Sequence, residues 1–116
     1  MRISVIIPTY NERENILVLL DALKKSVSKI KYHTFSYVVV DDTSPDGTGD
    51  VIASYQKLHK DVYLVSGKKE GLGIALLRGL VYASGELHAD ILAQMDADLS
   101  HDPNVFPKFI EAIDSG

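Results

Sequence analysis

Apolar residues recur along this chain with two different periods, and the periods alternate. Arg2 to Ile7 is rich in β-branched residues and reads as a strand, stopped at Pro8. Asn11 and Glu14 then stand at capping-box spacing. Ile16, Leu19, Leu20, Leu23, Val27 and Ile30 follow at steps of three or four, which gives a helix one apolar face. Tyr37 to Val40 is continuously hydrophobic, as a strand covered on both faces would be. Thr43 to Gly49 is dense in turn formers and predicts a loop, after which Val51, Ile52, Tyr55 and Leu58 suit a second amphipathic helix. Val62 to Val65 reads as a third strand, Gly67 to Gly73 as a loop, Ile74 to Ala83 as a third helix and Ile91 to Met95 as a fourth strand. Asp102 and Pro103 predict an N-cap with proline at the first helical position. Val105, Phe106, Phe109, Ile110 and Ile113 supply the last helix with its apolar face.

Strands alternating with helices imply an α/β domain: a parallel sheet with right-handed crossovers and helices on both faces. The expected strand order is 3-2-1-4, which puts a topological switch point between strands one and four. No internal linker or repeat divides the 116 residues, so residues 1–116 read as a single domain. Hydrophobic residues at 46% and charged residues at 24% are ordinary for a globular protein. A net charge of −4 with no basic stripe gives nucleic-acid binding no support. The chain has no cysteine, which removes disulfides, thiolate metal sites and cysteine nucleophiles. No apolar run approaches the roughly 20 residues of a membrane-spanning helix, so the chain is expected to be soluble.

Chemistry enters at the strand ends. Each predicted strand runs into a polar cluster: Pro8-Thr9-Tyr10-Asn11-Glu12, Asp41-Asp42 with Ser44-Pro45-Asp46-Gly47, Ser66 to Gly71, and Asp96 to His101. In a parallel sheet these clusters share one edge. Asp96 and Asp98, two apart in an extended segment, face the same way, and Ser100 continues the series. Paired carboxylates repel each other, and a hard divalent cation, Mg²⁺ or Mn²⁺, relieves the repulsion. The plainer reading is two solvated loop acids. Asp42 suits the N–H groups of a base or the hydroxyls of a ribose; Asp41 and Asp46 suit turn and helix capping as well. Tyr10 can lie against a nucleobase or pack beneath its own loop. Lys68, Lys69 and Arg78 are candidates for diphosphate charge, or else solvated. Gly73 and Gly79 suit a close approach of backbones.

Other nucleotide motifs fail. Gly71-Leu72-Gly73 lacks the third glycine of G-x-G-x-x-G and follows the third strand, and Gly67 to Lys69 is not a P-loop. The histidines at 33, 59, 88 and 101 have no metal-ligand spacing. An acidic pair after a strand also occurs in phospho-acceptor receiver domains, but there it follows the first strand, and Asp41-Asp42 follows the second.

The strings Ile6-Ile7-Pro8-Thr9-Tyr10-Asn11-Glu12, Val39-Val40-Asp41-Asp42, Ser44-Pro45-Asp46-Gly47-Thr48, Gly71-Leu72-Gly73 and Asp96-Ala97-Asp98-Leu99-Ser100-His101 together resemble family 2 glycosyltransferases, and within them the dolichol-phosphate (polyprenyl-phosphate) mannose synthases. The resemblance covers the whole chain. It implies a Rossmann-like GT-A-type fold and metal-dependent, inverting transfer of mannose from GDP-mannose to dolichyl or another polyprenyl phosphate. Another member of the family, using UDP-glucose or a different acceptor, and a non-catalytic nucleotide-binding fragment are the alternatives. It implies that Pro8, Tyr10, Glu12, Val40 and Asp42 surround the nucleoside. It also implies that Asp96, Ala97 and Asp98 reach the diphosphate, Asp96 and Asp98 being the catalytic acids, and that the metal is held by Asp96, Asp98 and Ser100. Some relatives have glutamine where Ser100 stands. Family members continue beyond the last helix, so this chain is expected to be the donor-binding, N-terminal part of a longer enzyme. That enzyme is expected on the cytoplasmic side of a membrane (the endoplasmic reticulum in a eukaryote), with membrane association through other regions or partner subunits.

Overall fold

The computed structural model describes residues 1–98 and 102–115. Its elements run β1 (Arg2–Thr9), α1 (Ile16–Ser26), β2 (Thr34–Asp41), α2 (Thr48–Leu58), β3 (Val62–Ser66), α3 (Leu72–Gly85), β4 (Ile91–Gln94), a short 3-10 turn (Pro103–Val105) and α4 (Phe106–Asp114). The four strands form one sheet in the order β3-β2-β1-β4, every pairing parallel, as the alternation of periods predicts. The Rossmann-like GT-A-type expectation therefore holds.

Side chains alternate across the pleat and divide the core in two. Ile3, Val5, Ile7, Tyr37 and Val39 face α1, α2 and α4, meeting Ile16, Leu19, Leu20, Leu23, Ile52, Phe106 and Ile110. Ile6, Val38 and Val40 face α3 alone, against Ala75 and Ala83. Each fully buried Leu or Ile contributes about 1.5–3 kcal/mol, so the six-residue apolar stripe read from the sequence carries α1 onto the sheet at Ile16, Leu19, Leu20 and Leu23. Between α3 and the sheet the spacing is set by Gly79. A Cβ there would lie 2.5 Å from Ile6 Cγ2 and 2.8 Å from Val40 Cγ2. Gly73 makes no such approach and faces open space, contrary to the expectation for it.

Several boundaries differ from the sequence reading: β2 runs Thr34–Asp41 rather than Tyr37 to Val40, α3 starts at Leu72 inside the expected loop, and α1 ends at Ser26, before Val27 and Ile30. Strand β1 does not stop at Pro8 but pairs through Pro8↔Val40 and Thr9↔Asp41. Ile6 C=O accepts from Met95 N–H on the β4 side, so the position two residues on faces that side too, beyond the end of β4. The missing N–H of Pro8 interrupts no ladder there. Helix α1 begins at Ile16, and Asn11 and Glu14 do not form its capping box; Glu12 C=O instead accepts from Asn15 and Ile16 N–H. Strand β4 ends at Gln94, one residue before Met95. The outer helical residues Leu58, Val105 and Phe109, read as members of apolar faces, are exposed at 84%, 54% and 43%.

Candidate functional site

Parallel pairing brings the C-terminal ends of the strands to one edge, with Ser66, Asp41 and Thr9 in register and Gln94 level with Ile6. The crevice between β1 and β4 is the switch point, where open α/β sheets bind ligands. Asp42, one residue past β2, and Asp96, two past β4, flank β1 from either side. Twice the strand spacing sets their backbones about 10 Å apart.

The loop after β1 is held by the loop after β2. Ser44 Oγ accepts from Asn11 N–H at 2.9 Å, Thr48 Oγ1 from Glu12 N–H at 3.1 Å, and Asp46 Oδ2 from Arg13 N–H at 3.3 Å. Three acceptors at alternate positions, 44, 46 and 48, thus take three successive amides. Those amides cannot cap a helix at Asn11, and α1 starts a turn later. Asn11 itself sits in the left-handed region at φ 56°, which asparagine tolerates. Asp46 Oδ1 also accepts from Thr48 N–H and its hydroxyl. The Thr48 hydroxyl, first among several hydrogen bonds, holds the Asp46 carboxyl below the usual carboxylate range.

Asp41 and Asp42 do different things. Asp41 is buried; its Oδ1 accepts from the hydroxyls of Thr9 and Ser44, and its Oδ2 from Ser44 N–H. All three of these hydrogen bonds go into the scaffold. Asp42 is buried as well, and its Oδ1 accepts from Arg78 Nη1 at 3.2 Å; no other hydrogen bond reaches its side chain among the described residues. Its carboxylate keeps acceptor positions to spare at this edge of the sheet. Thr43 follows with φ 56°, strained for a β-branched residue, and its hydroxyl donates to Gly67 C=O.

Tyr10 is not packed beneath its loop: the residue is 38% exposed, with Lys69 Nζ 3.9 Å from the ring centroid. Glu12 contributes its backbone to the loop and accepts from Asn15 Nδ2. Val40 is wholly buried, its side chain against the α3 face, so only its main chain can reach a ligand. Pro8 is half-buried opposite Val40. Ala97 is buried in the core on the α1 and α4 face, while Asp96 is half-buried and Asp98 exposed in the turn that follows β4. The two carboxylates flank an anchored alanine in a turn, not in the extended segment expected. Ser100 and His101 lie outside the described residues. Arg78, a candidate for diphosphate charge, is paired with Asp42 and lies 3.8 Å from Glu70 Oε1. A cleft of about 540 Å³ along the outer edge of β4, lined by apolar residues such as Leu92, Phe106 and Phe109, also takes in Met95 and Asp102, on either side of the Asp96–His101 segment in the sequence.

Comparison with known proteins gives the same outline. Residues 4–116 match the family described as glycosyl transferase family 2. The chain is 42% identical over its whole length to a dolichol-phosphate mannosyltransferase of Pyrococcus furiosus, spanning 31% of that protein. It is 39% identical over 97% of its length to an undecaprenyl-phosphate mannosyltransferase of Micrococcus luteus, spanning 44% of it. Among solved structures it resembles a mannosyltransferase from Pyrobaculum calidifontis in complex with GDP-mannose and Mn²⁺. That match has a TM-score of 0.69 and 31% identity, and covers 83% of this chain and 27% of the other. The chain thus spans less than half the length of the curated relatives it matches.

Proposed function

Because the chain belongs to glycosyltransferase family 2, we propose that it is the donor-binding part of a polyprenyl-phosphate mannosyltransferase that takes mannose from GDP-mannose with inversion. The reading is carried by one observation: Asp42 with spare acceptor capacity and the Asp96–Asp98 pair flank β1 at a single sheet edge. It is supported by the likeness to two polyprenyl-phosphate mannosyltransferases and to a structure holding GDP-mannose and Mn²⁺.

Asp42 accepts N–H or O–H donors of the nucleoside, and the Tyr10 ring offers its exposed surface to the base. Glu12 and the main chain at Pro8 and Val40 line the same side. Asp96 and Asp98, with Ser100, would hold Mg²⁺ or Mn²⁺. The donor chemistry fits, because hard carboxylate oxygens suit either ion. The ion completes its coordination with water and substrate phosphates. Such an ion, when bound, offsets the negative charge of a departing diphosphate. In the transfer, the bond between the anomeric carbon and the diphosphate oxygen breaks as one forms from an acceptor phosphate oxygen on the opposite face. A phosphate monoester with a second pKa of about 6 is already anionic near neutrality, so no strong protein base is required. The acceptor is a lipid phosphate. The enzyme works at the cytoplasmic surface of a membrane, held there by other regions or a partner; no helix among the described residues is long and apolar enough to cross one.

The test is transfer of labelled mannose from GDP-mannose to dolichyl phosphate in Mn²⁺ buffer. Labelled lipid, lost on Asp98→Ala, is expected. Transfer from UDP-glucose in its place, or full activity in Asp98→Ala, would overturn the reading.

A further inference from the structure

We propose that Arg78 is a positioning residue that aims the Asp42 carboxylate at the nucleoside, through a slot that exists because residue 67 is glycine. The inference rests on Asp42 acting in donor binding. Its basis is the packing around one guanidinium. Arg78 lies in the middle of α3, and the bare Cα of its neighbour Gly79 brings the helix down onto Ile6 and Val40. From there Nη1 reaches Asp42 Oδ1 at 3.2 Å and Nη2 lies 3.8 Å from Glu70 Oε1.

The path of that side chain runs across Gly67. A Cβ on Gly67 would lie 2.1 Å from Arg78 Cζ and Nη1 and 2.6 Å from Nε, an overlap no side chain tolerates. Gly67 cannot move aside cheaply: its N–H donates to Asp41 C=O at 3.1 Å and its C=O accepts from Thr43 Oγ1 at 2.6 Å. The residues on either side of Asp42 therefore hold Gly67, Gly67 leaves room for Arg78, and Arg78 holds Asp42.

The Asp42 side chain is only 9% exposed, and a carboxylate that buried is costly without a cationic partner; Arg78 supplies one. Because the contact runs from Nη1 to Oδ1, the carboxylate is fixed on one side and keeps acceptor positions on the other for a base or ribose. Moreover, the charge of Arg78 is already shared between two carboxylates, Asp42 and Glu70, which argues against a role as diphosphate clamp.

The experiment titrates GDP and UDP by calorimetry, and guanosine and uridine by ligand-observed NMR. It compares the chain itself with Arg78→Met, Arg78→Lys, Gly67→Ala and the double variant Gly67→Ala/Arg78→Met. Loss of a charged hydrogen-bond partner predicts that Arg78→Met weakens the preferred nucleoside and its diphosphate by the same factor, about tenfold. Arg78→Lys recovers part of the loss. Gly67→Ala, which touches no ligand and displaces only the flexible end of Arg78, gives a similar loss. The double variant is no worse than either single one. Binding is measured well below every melting temperature, because Arg78→Met, which strands a buried carboxylate, lowers it by more than about 4 °C and Arg78→Lys recovers most of that stability. A loss confined to the diphosphates would make Arg78 a phosphate ligand and overturn the proposal, as would additive losses or unchanged binding in Arg78→Met. A parent chain that binds no nucleotide or nucleoside would instead overturn the donor-binding reading itself.

Discussion

The loops after β2 and β3 stand side by side at the same sheet edge, and they are held in opposite ways. The loop after β2 spends its polar side chains on backbone: Asp41, Ser44, Asp46 and Thr48 take amides and hydroxyls of Thr9, Asn11, Glu12 and Arg13 as well as their own. The loop after β3 is pinned by backbone at Gly67, and from Lys68 onward its contacts are those of long exposed side chains, Lys69 over Tyr10 and Glu70 beside Arg78. An acidic residue in the first loop is part of the frame unless it is Asp42. In the second, a side chain reaches the site only when helix α3 carries it there. The short acceptors of the first loop, Ser44, Asp46 and Thr48, meet nearby amides; the long charged side chains of the second, Lys69 and Glu70, reach outward instead.

The contrast predicts unequal costs. Asp41→Ala, which strips a buried acceptor from Thr9 and Ser44 together, should destabilise the chain by about 3 kcal/mol in urea unfolding followed by circular dichroism. Gly79→Ala forces a methyl into Ile6 and Val40, side chains that cannot swing away, and should cost about 2 kcal/mol by overpacking in the same assay. Asp46→Asn tests the amide cradle through pH. The folded-state value of Asp46 is depressed, so the stability it adds is present above the unfolded carboxyl value of about 4 and is lost as pH falls through the lower folded one. Parent and variant melting curves should therefore differ at pH 6 and converge near pH 2. Lys69→Ala, removing one exposed cation over a ring, should change stability by no more than about 0.5 kcal/mol. A large effect there would mean that the loop after β3 is as firmly built as its neighbour.

Much of this architecture was legible in the residues. Alternating periods gave four parallel strands, and the polar runs that follow them fall at one edge because parallel strands all end there. The stripe from Ile16 to Leu23 packs as read. What escaped the sequence was long-range pairing. Ser44, Asp46 and Thr48 look like turn formers, yet their partners lie 33 to 36 residues away, and only the alternate spacing of three acceptors hinted at a shared target. The capping-box spacing at Asn11 and Glu14 was present but lost its amides to that target. Arg78 and Asp42 are 36 residues apart, and nothing local marks them as partners. The apolar character of Leu58, Val105 and Phe109 marks faces that no layer covers among the described residues, so periodicity overstated the core.

In the proposed function, groups on the two flanks of β1 grip one donor, Asp42 the nucleoside and Asp96 with Asp98 the diphosphate through a divalent cation. Titration of GDP into the parent chain, Asp42→Asn and Asp98→Asn, each with and without Mn²⁺, tests it most directly. Mn²⁺ should tighten binding to the parent, and Asp42→Asn should weaken it under both conditions, about tenfold or more. Asp98→Asn should erase only the gain from Mn²⁺. Binding that ignores the metal, or that survives both substitutions unchanged, would contradict the account.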